Sequence, residues 1–244
     1  MDEFSAISTP EDMQGFLSNT LVRSNPQDSL YHYTTITKLL NIIKSGYLWL
    51  GDYRYMNDPF EVVMLNENKN ASHLYYTSFS RADESLAMYR MYCDNKPDAS
   101  VVLKISIETL IKIMSSSYHG ERAGGVDDIG KYFQFYRKHN VVEGNKISEE
   151  LVGVRLFAAE IAYYYPETYS IFYHGKENKL IDQPLCKSEL AGWLKYKCWD
   201  YEQEVRLLGY SEKAMEPKKR LAIKLPSDFY KNIDIILGPG FDME

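Results

Sequence analysis

The sequence predicts an α+β fold. Short strand-like runs rich in Tyr, Val, Ile and Leu occur along the whole chain, and helical periodicity appears between some of them. The two kinds of segment do not alternate strictly, as a doubly wound α/β fold requires, so an α+β arrangement is favoured. The 244 residues suffice for a large hydrophobic core, and we expect a single domain over residues 1–244.

The first half of the chain contains four predicted strands separated by helices. Residues 1–28 form a polar lead-in with one short helix near Pro10–Leu21. Thr35 can cap the helix that follows the first strand, and Gly46 can end it in the left-handed conformation. The strands are expected at Ser29–Thr34, Tyr47–Leu50, His73–Ser80 and Ser100–Ile105, and further helices after Pro59, at Asp83–Cys93 and at Ile107–Met114.

The second half of the chain is less regular. A Gly-rich stretch from His119 to Gly130 indicates a loop, and helices are expected at Lys131–His139 and Lys187–Lys197. Within Gly153–Tyr165 a strand is favoured for the last seven residues, Ala159–Tyr165. Three further strands are expected at Glu202–Tyr210, Arg220–Leu225 and Ile233–Leu237.

Composition excludes several classes of protein. No apolar run approaches the roughly 18 residues that a membrane helix needs, and the acidic, polar start does not resemble a secretory signal. The three cysteines and five histidines lack the spacing of metal ligands, so we expect a cytoplasmic protein with no metal and no membrane contact. The net charge of −6 argues against coating nucleic acid by charge alone, but it leaves room for a local basic patch.

Two glutamates lie one residue apart in the run YEQEVRLL. On a strand, Glu202 and Glu204 would point to the same face, about 6–7 Å apart. Neighbouring like charges disfavour each other, so something must compensate for the pair or use it. One interpretation places both on a solvated face beside Arg206, which neutralises them. The alternative is a functional site.

The order of polar motifs along the strands supports the functional alternative. His32, then Ser78-Phe79-Ser80, then Glu202-x-Glu204 each lie on a separate predicted strand. This arrangement resembles the ADP-ribosyltransferase superfamily, and the run LYHYTTITKLLNIIKSGYL is similar to the start of its DNA-modifying bacterial toxins. Seven segments in register also resemble a bacterial family called domain of unknown function 2971: LYHYT, GYLWL, MNDPFE, YTSFS, SLAMYRMY, KYKCWDYEQEVRLL and IILG.

The superfamily resemblance implies a split, mixed β-sheet around a cleft, with NAD as substrate. Breaking the nicotinamide–ribose bond creates an oxocarbenium-like centre that a carboxylate stabilises. Glu204 is the candidate for this stabilisation, and Glu202 would orient or deprotonate the acceptor. The remaining candidates are expected to bind NAD. His32 would hydrogen-bond a ribose hydroxyl, and Tyr33, or another tyrosine nearby, would stack on nicotinamide. Ser78 and Ser80 would hold Glu204 or a ribose, and Thr34 lies beside them.

The expected activity is transfer of ADP-ribose to an unknown protein or nucleic-acid acceptor, as in a toxin or a phage-defence effector. One alternative is a non-catalytic nucleic-acid or protein-binding member of the fold, and another is a glycoside or NAD hydrolase that uses Glu202 and Glu204. Residues of about 107–175 are expected as an insertion that forms a lid, an acceptor platform or an oligomer contact. The segment Asn57–Glu61 is a predicted turn and helix start, or part of the site rim.

Overall fold

A computed structural model describes residues 24–59, 61, 74–93, 99–116, 133–136, 139–144, 146–150, 153–164, 192–211 and 219–239. Its helices are α1 (Ile36–Ser45), α2 (Leu86–Tyr92) and α3 (Ile107–Ser116), and 3₁₀ turns span Tyr53–Tyr55, Lys197–Glu202 and Phe229–Lys231. Its strands are β1 (Ser29–Thr35), β2 (Tyr47–Asp52), β3 (Leu74–Ser80), β4 (Ser100–Ser106), β5 (Phe133–Tyr136), β6 (His139–Glu143), β7 (Lys146–Glu150), β8 (Val154–Glu160), β9 (Ala162–Tyr164), β10 (Leu194–Tyr196), β11 (Glu204–Ser211), β12 (Lys219–Lys224) and β13 (Ile233–Leu237).

The α+β class is confirmed, but the large sheet is not mixed. Eleven strands join in one sheet, and every pairing described within it is antiparallel. Only β9 and β10, which form a separate two-stranded sheet, pair in parallel among the described residues. Parallel neighbours need a long crossover, usually helical, and the described helices are too few to connect eleven strands in that way.

The predicted helix after the first strand forms as its end signals require. The Thr35 hydroxyl accepts a hydrogen bond from the Lys38 backbone N–H, which satisfies a donor at the start of α1. Gly46 takes a left-handed φ of 71°, and its N–H donates to the carbonyl of Ile42. Leu39 and Ile42 face the core, so α1 covers the sheet between β1 and β2.

Two predicted helices are wrong where the structure describes them. Residues Phe133–Tyr136 form β5, which pairs with β8, and β6 begins at His139. Leu194–Tyr196 forms β10, and a 3₁₀ turn follows from Lys197. In both places partner strands override the local helical pattern, because strand propensity depends largely on cross-strand packing. The expected helix near Pro10–Leu21 and the Gly-rich loop lie outside the described residues.

The sheet splits beside β3. One edge of β3 pairs with β11 from Ser80 to Leu74. The other edge pairs with β1 only at Ser80 and with β2 only at Tyr75 and Tyr76. The two partners diverge between these points, so the expected split of the sheet is present.

Most of the described strands in the middle of the chain, β5 to β8, belong to the large sheet. Strand β8, which lies within the expected insertion of about 107–175, pairs with β11 from Val205 to Ser211. Leu156 and Ala158 of β8 are buried in the main hydrophobic core together with Val205 and Leu207. None of the described helices is long and apolar enough to cross a membrane.

Candidate active site at the split of the sheet

The split between β1, β2 and β3 opens into a cleft with a volume of about 320 Å³. The expected convergence of His32, Ser78 and Glu204 is confirmed, because all three line this cleft. Glu202 and Tyr33 also line it, whereas Thr34 and Ser80 are absent from its described walls. The remaining lining residues are mostly aromatic: Tyr31, Lys38, Trp49, Gly51, Tyr55, Tyr76, Thr77, Phe79, Met88 and Tyr92.

His32 bridges the gap between β1 and β3. Its Nδ1 lies 2.8 Å from the carbonyl oxygen of Ser78, which can only accept, so Nδ1 carries a proton and donates it. Burial lowers the pKa of His32 below its ordinary value, which favours the neutral ring at pH 7. In that tautomer Nε2 is a hydrogen-bond acceptor, as binding of a ribose hydroxyl would require.

Glu202 and Glu204 do not share a strand face, contrary to the expectation. Glu202 ends a 3₁₀ turn, Gln203 adopts a left-handed φ of 43°, and β11 begins at Glu204. Both carboxylates are buried and both reach the ammonium of Lys195, at 2.5 Å and 3.2 Å respectively. Lys195 is 1% exposed. A left-handed residue and a shared lysine therefore bring the two charges together.

Arg206 compensates Glu204 inside the protein and not on a solvated face. It is 1% exposed, and its guanidinium donates to both oxygens of Glu204, at 2.6 and 2.9 Å. The same group donates to both oxygens of Glu61, at 2.5 and 2.9 Å. The interpretation in which Arg206 neutralises two exposed glutamates is therefore wrong.

The neighbouring cations Arg206 and Lys195 determine the protonation state of Glu204. Burial on its own disfavours the carboxylate, but Arg206 and Lys195 outweigh that effect and lower the pKa of Glu204 to about 2. The hydroxyl of Ser78 also donates to Glu204 Oε1. Glu204 is consequently ionised at neutral pH.

Hydrogen bonds from Tyr92 and Asn57 fix Glu202. The Tyr92 hydroxyl donates to Glu202 Oε1 at 2.6 Å, and the Asn57 amide approaches the same oxygen at 3.3 Å. Burial and the charge of Glu202 raise the pKa of Tyr92, so its hydroxyl stays protonated and remains a donor. Lys195 also donates to Asn57 Oδ1, at 3.2 Å. The turn at Asn57 thus belongs to the site as well as to the fold.

The other predicted NAD-binding residues are held by backbone contacts. The hydroxyl of Ser80 donates to the Glu202 carbonyl at 2.5 Å and accepts from the Ala82 N–H. The hydroxyl of Tyr33 contacts the carbonyls of Ala82 and Asp83, at 2.9 and 2.5 Å, and burial raises its pKa to about 12. Thr34 is buried opposite Val101 of β4. Ser80 therefore holds the backbone beside Glu202, whereas Thr34 lies in the pairing of β1 with β4.

Sequence reasoning missed Lys195 and Tyr92 as parts of this site, and it placed Glu61 only within a segment that could form the site rim. Lys195 lies in a segment predicted as helical, and nothing in the sequence separates it from Lys197, which is 37% exposed. Glu61 contacts Arg206 although the two residues lie far apart in the chain, so no sequence spacing indicates the pair. These contacts depend on long-range packing that a single sequence does not display.

Comparison of the chain with family models, with curated proteins and with solved structures gives no match. The resemblance to domain of unknown function 2971 and to ADP-ribosyltransferases therefore stays a prediction. Within the described ranges, no group of three or more His, Cys, Asp and Glu side chains is arranged to hold a metal ion.

Proposed function

We propose that the protein is an NAD-dependent ADP-ribosyltransferase that modifies a protein or nucleic-acid acceptor, as a toxin or phage-defence effector does. The observation that carries this proposal is the single cleft lined by His32, Ser78, Glu202 and Glu204. His32, Ser78 and Glu204 come from three strands far apart in sequence, Glu202 comes from the 3₁₀ turn before β11, and aromatic side chains surround them. Clefts of this composition suit a ligand with planar rings and a few polar groups.

The ionised carboxylate of Glu204 suits the electrostatic part of the reaction. When the bond from ribose C1′ to the nicotinamide nitrogen breaks, its electron pair leaves with neutral nicotinamide and positive charge develops on the ribose. A negative charge fixed before the reaction lowers the energy of that state. The low pKa of Glu204 keeps this charge in place at neutral pH.

Glu202 and His32 would then serve the two sides of the ribose. The acceptor nucleophile forms the new bond to C1′ and loses its proton, for which Glu202 is the nearby carboxylate. His32, with its Nδ1 proton committed to the Ser78 carbonyl, offers Nε2 to a ribose hydroxyl. Tyr33, held at the wall by backbone carbonyls, offers its ring for contact with nicotinamide.

A second candidate function is a binding module that retains the cleft without catalysis. The observation that favours it is the pairing of both carboxylates with buried cations: Glu202 with Lys195, and Glu204 with both Lys195 and Arg206. A carboxylate whose charge is shared with two cations stabilises a developing positive charge less than an unpaired one does. This candidate predicts that NAD, or a similar ligand, binds without turnover.

The test is release of nicotinamide from NAD, measured by chromatography, with cell extract as the source of acceptors. The variants are Glu204→Gln and the matched control Glu143→Gln, which makes the same change at an exposed position on β6. Circular dichroism establishes that each variant is folded. Mass spectrometry of the acceptor fraction, before and after nuclease treatment, separates protein from nucleic-acid modification.

The proposal predicts release by the wild type and by Glu143→Gln, and strongly reduced release by Glu204→Gln. Because Glu204→Gln disturbs a buried ion cluster, Glu202→Gln is a second variant that leaves the Arg206 pairs intact, and it should lower acceptor modification. No release by any folded protein, with NAD binding retained, would favour the binding module. Release that both glutamate variants leave unchanged would overturn the proposed site.

A further inference from the structure

The cleft has opposite charges at its two ends. Glu202 and Glu204 are the acidic residues among its described lining, and Lys38 is the lysine or arginine found there. Lys195 contacts both carboxylates and Arg206 contacts that of Glu204, but neither cation lines the cleft. A ligand in the cleft therefore meets carboxylate oxygens at one end and an ammonium at the other.

The strand register separates these ends. Glu204 lies opposite Ser80 of β3, and Ser80 also pairs with Tyr31 of β1. From Tyr31 the chain continues for four residues to Thr35, a distance of roughly 13 Å along an extended strand, before α1 begins. Lys38 lies in the first turn of α1, beyond that point. The backbone positions of Glu204 and Lys38 are therefore separated along the cleft, so different parts of one ligand can contact the carboxylate and the ammonium.

Aromatic side chains connect the ends. Tyr31, Trp49, Tyr76 and Tyr92 line the cleft together with His32. Aromatic faces attract cations and planar rings, and the carboxylates add attraction for positive charge at their end. The combination fits a cationic aromatic ring beside the glutamates and an anionic group near Lys38.

We propose that Lys38 determines specificity by binding the phosphate portion of a ligand whose cationic ring lies beside Glu202 and Glu204. The proposal deepens the proposed function, on which its choice of NAD as ligand rests, and it assigns the direction in which NAD enters. It also predicts that the oxidised dinucleotide binds more tightly than the reduced one, because only the oxidised ring is cationic.

The test is calorimetric binding, which needs no turnover. NAD is titrated into the wild type, into Lys38→Met and into Lys44→Met, a control that removes the same charge from an exposed position in the last turn of the same helix. Two smaller probes, 1-methylnicotinamide and nicotinamide, share one ring and differ in its charge. The reduced dinucleotide is compared with NAD on the wild type.

We expect Lys38→Met to weaken NAD binding about tenfold, because one charge-assisted contact is lost. Lys44→Met should change NAD binding less than about twofold. The cationic probe should bind more tightly than nicotinamide, and Lys38→Met should leave its affinity unchanged because it carries no phosphate. Equal effects of Lys38→Met and Lys44→Met would overturn the assignment of Lys38. Equal binding of the two small probes would overturn the orientation.

The two proposals can fail separately. If NAD binds as described but no nicotinamide is released, the transferase proposal fails and the assignment of Lys38 stands. If nicotinamide is released and Lys38→Met behaves like its control, the assignment of Lys38 fails alone. Absence of NAD binding to the folded wild type would overturn both.

Discussion

The two faces of the paired strands β3 and β11 are both buried, yet they are stabilised by different interactions. On one face Tyr75, Phe79, Val205 and Leu207 join the main hydrophobic core. On the other face, Ser78 lies opposite Arg206, which binds Glu204 of β11. Arg206 also binds Glu61, which lies outside the two strands. The apolar face is stabilised by burial itself, whereas the ionic face is stable only while every charge keeps its partners.

This difference concentrates chemistry on one face. An apolar face tolerates a change of shape with a graded cost, but a buried charge without its partner is costly. The ionic face borders the cleft, and its cations hold the ionised carboxylate of Glu204 there in a fixed position. The two faces should therefore respond differently to substitution.

The largest effect is expected from Arg206→Met. The substitution keeps much of the side-chain length and leaves Glu204 and Glu61 buried without their shared cation, which should lower the free energy of unfolding by about 3–5 kcal/mol at pH 7. Urea denaturation measures the change. On the apolar face Leu207→Ala should cost a comparable 2–5 kcal/mol through a cavity. Arg220→Met, at an exposed position, is the control, and an equal cost for Arg206→Met and Arg220→Met would contradict the ionic account.

A smaller loss is expected from Glu204→Gln. Sequence reasoning alone predicts that removing one of two neighbouring like charges leaves folding intact or improves it, but the contacts with Lys195 and Arg206 reverse that expectation. We expect a loss of about 2 kcal/mol at pH 7, because two buried cations lose a charged partner. Chemical denaturation beside Glu143→Gln gives the comparison, and a more stable Glu204→Gln protein would refute the prediction.

The cost of Glu204→Gln should also depend on pH. The pKa of Glu204 is about 2 in the folded protein, below its ordinary value of 4.5, so its charge stabilises the fold above pH 4.5 and this contribution is lost as the pH falls towards 2. The difference in unfolding free energy between the wild type and Glu204→Gln should therefore shrink over that range. The cost of Leu207→Ala should stay nearly constant in the same titration, and parallel curves for both variants would contradict the assignment.

The smallest effect is expected at Gln203, which joins the two glutamates. Its left-handed φ of 43° disfavours β-branched side chains, so Gln203→Val should cost about 1 kcal/mol, whereas Gln203→Gly should be close to neutral. Thermal unfolding of both variants checks the difference. A Val variant as stable as the Gly variant would show that this conformation does not constrain the site.

Local patterns predicted the strands better than the contacts between them. The cap at Thr35 and the left-handed Gly46 are local features, and the structure has them as predicted. Alternation also separates Val205 and Leu207 from Glu204 and Arg206. It could not show that both faces are buried, because that depends on β10 and on Glu61, which reach the polar face through long-range packing.

The arrangement of the candidate site likewise follows only in part from local sequence patterns, because some of its contacts depend on long-range packing. The order of His32, Ser78 and Glu204 on separate strands predicts that they meet, and antiparallel pairing brings them to one cleft. The relation between Glu202 and Glu204 was wrong, since a single left-handed residue breaks the strand between them. Lys195 is indistinguishable in sequence from an exposed lysine, so the cation that joins both carboxylates could be found only from the fold.

The most direct test of the central claim measures rate and affinity together for Glu204→Gln. If the Glu204 carboxylate stabilises positive charge that develops on the ribose, the rate of nicotinamide release should fall by roughly a hundred- to a thousandfold, equivalent to about 3–4 kcal/mol. The affinity of the folded variant for NAD should fall by a much smaller factor, because before the bond breaks Glu204 supplies only part of the attraction for the cationic nicotinamide ring. Release by Glu204→Gln at the wild-type rate, with both proteins folded and binding NAD, would contradict the account.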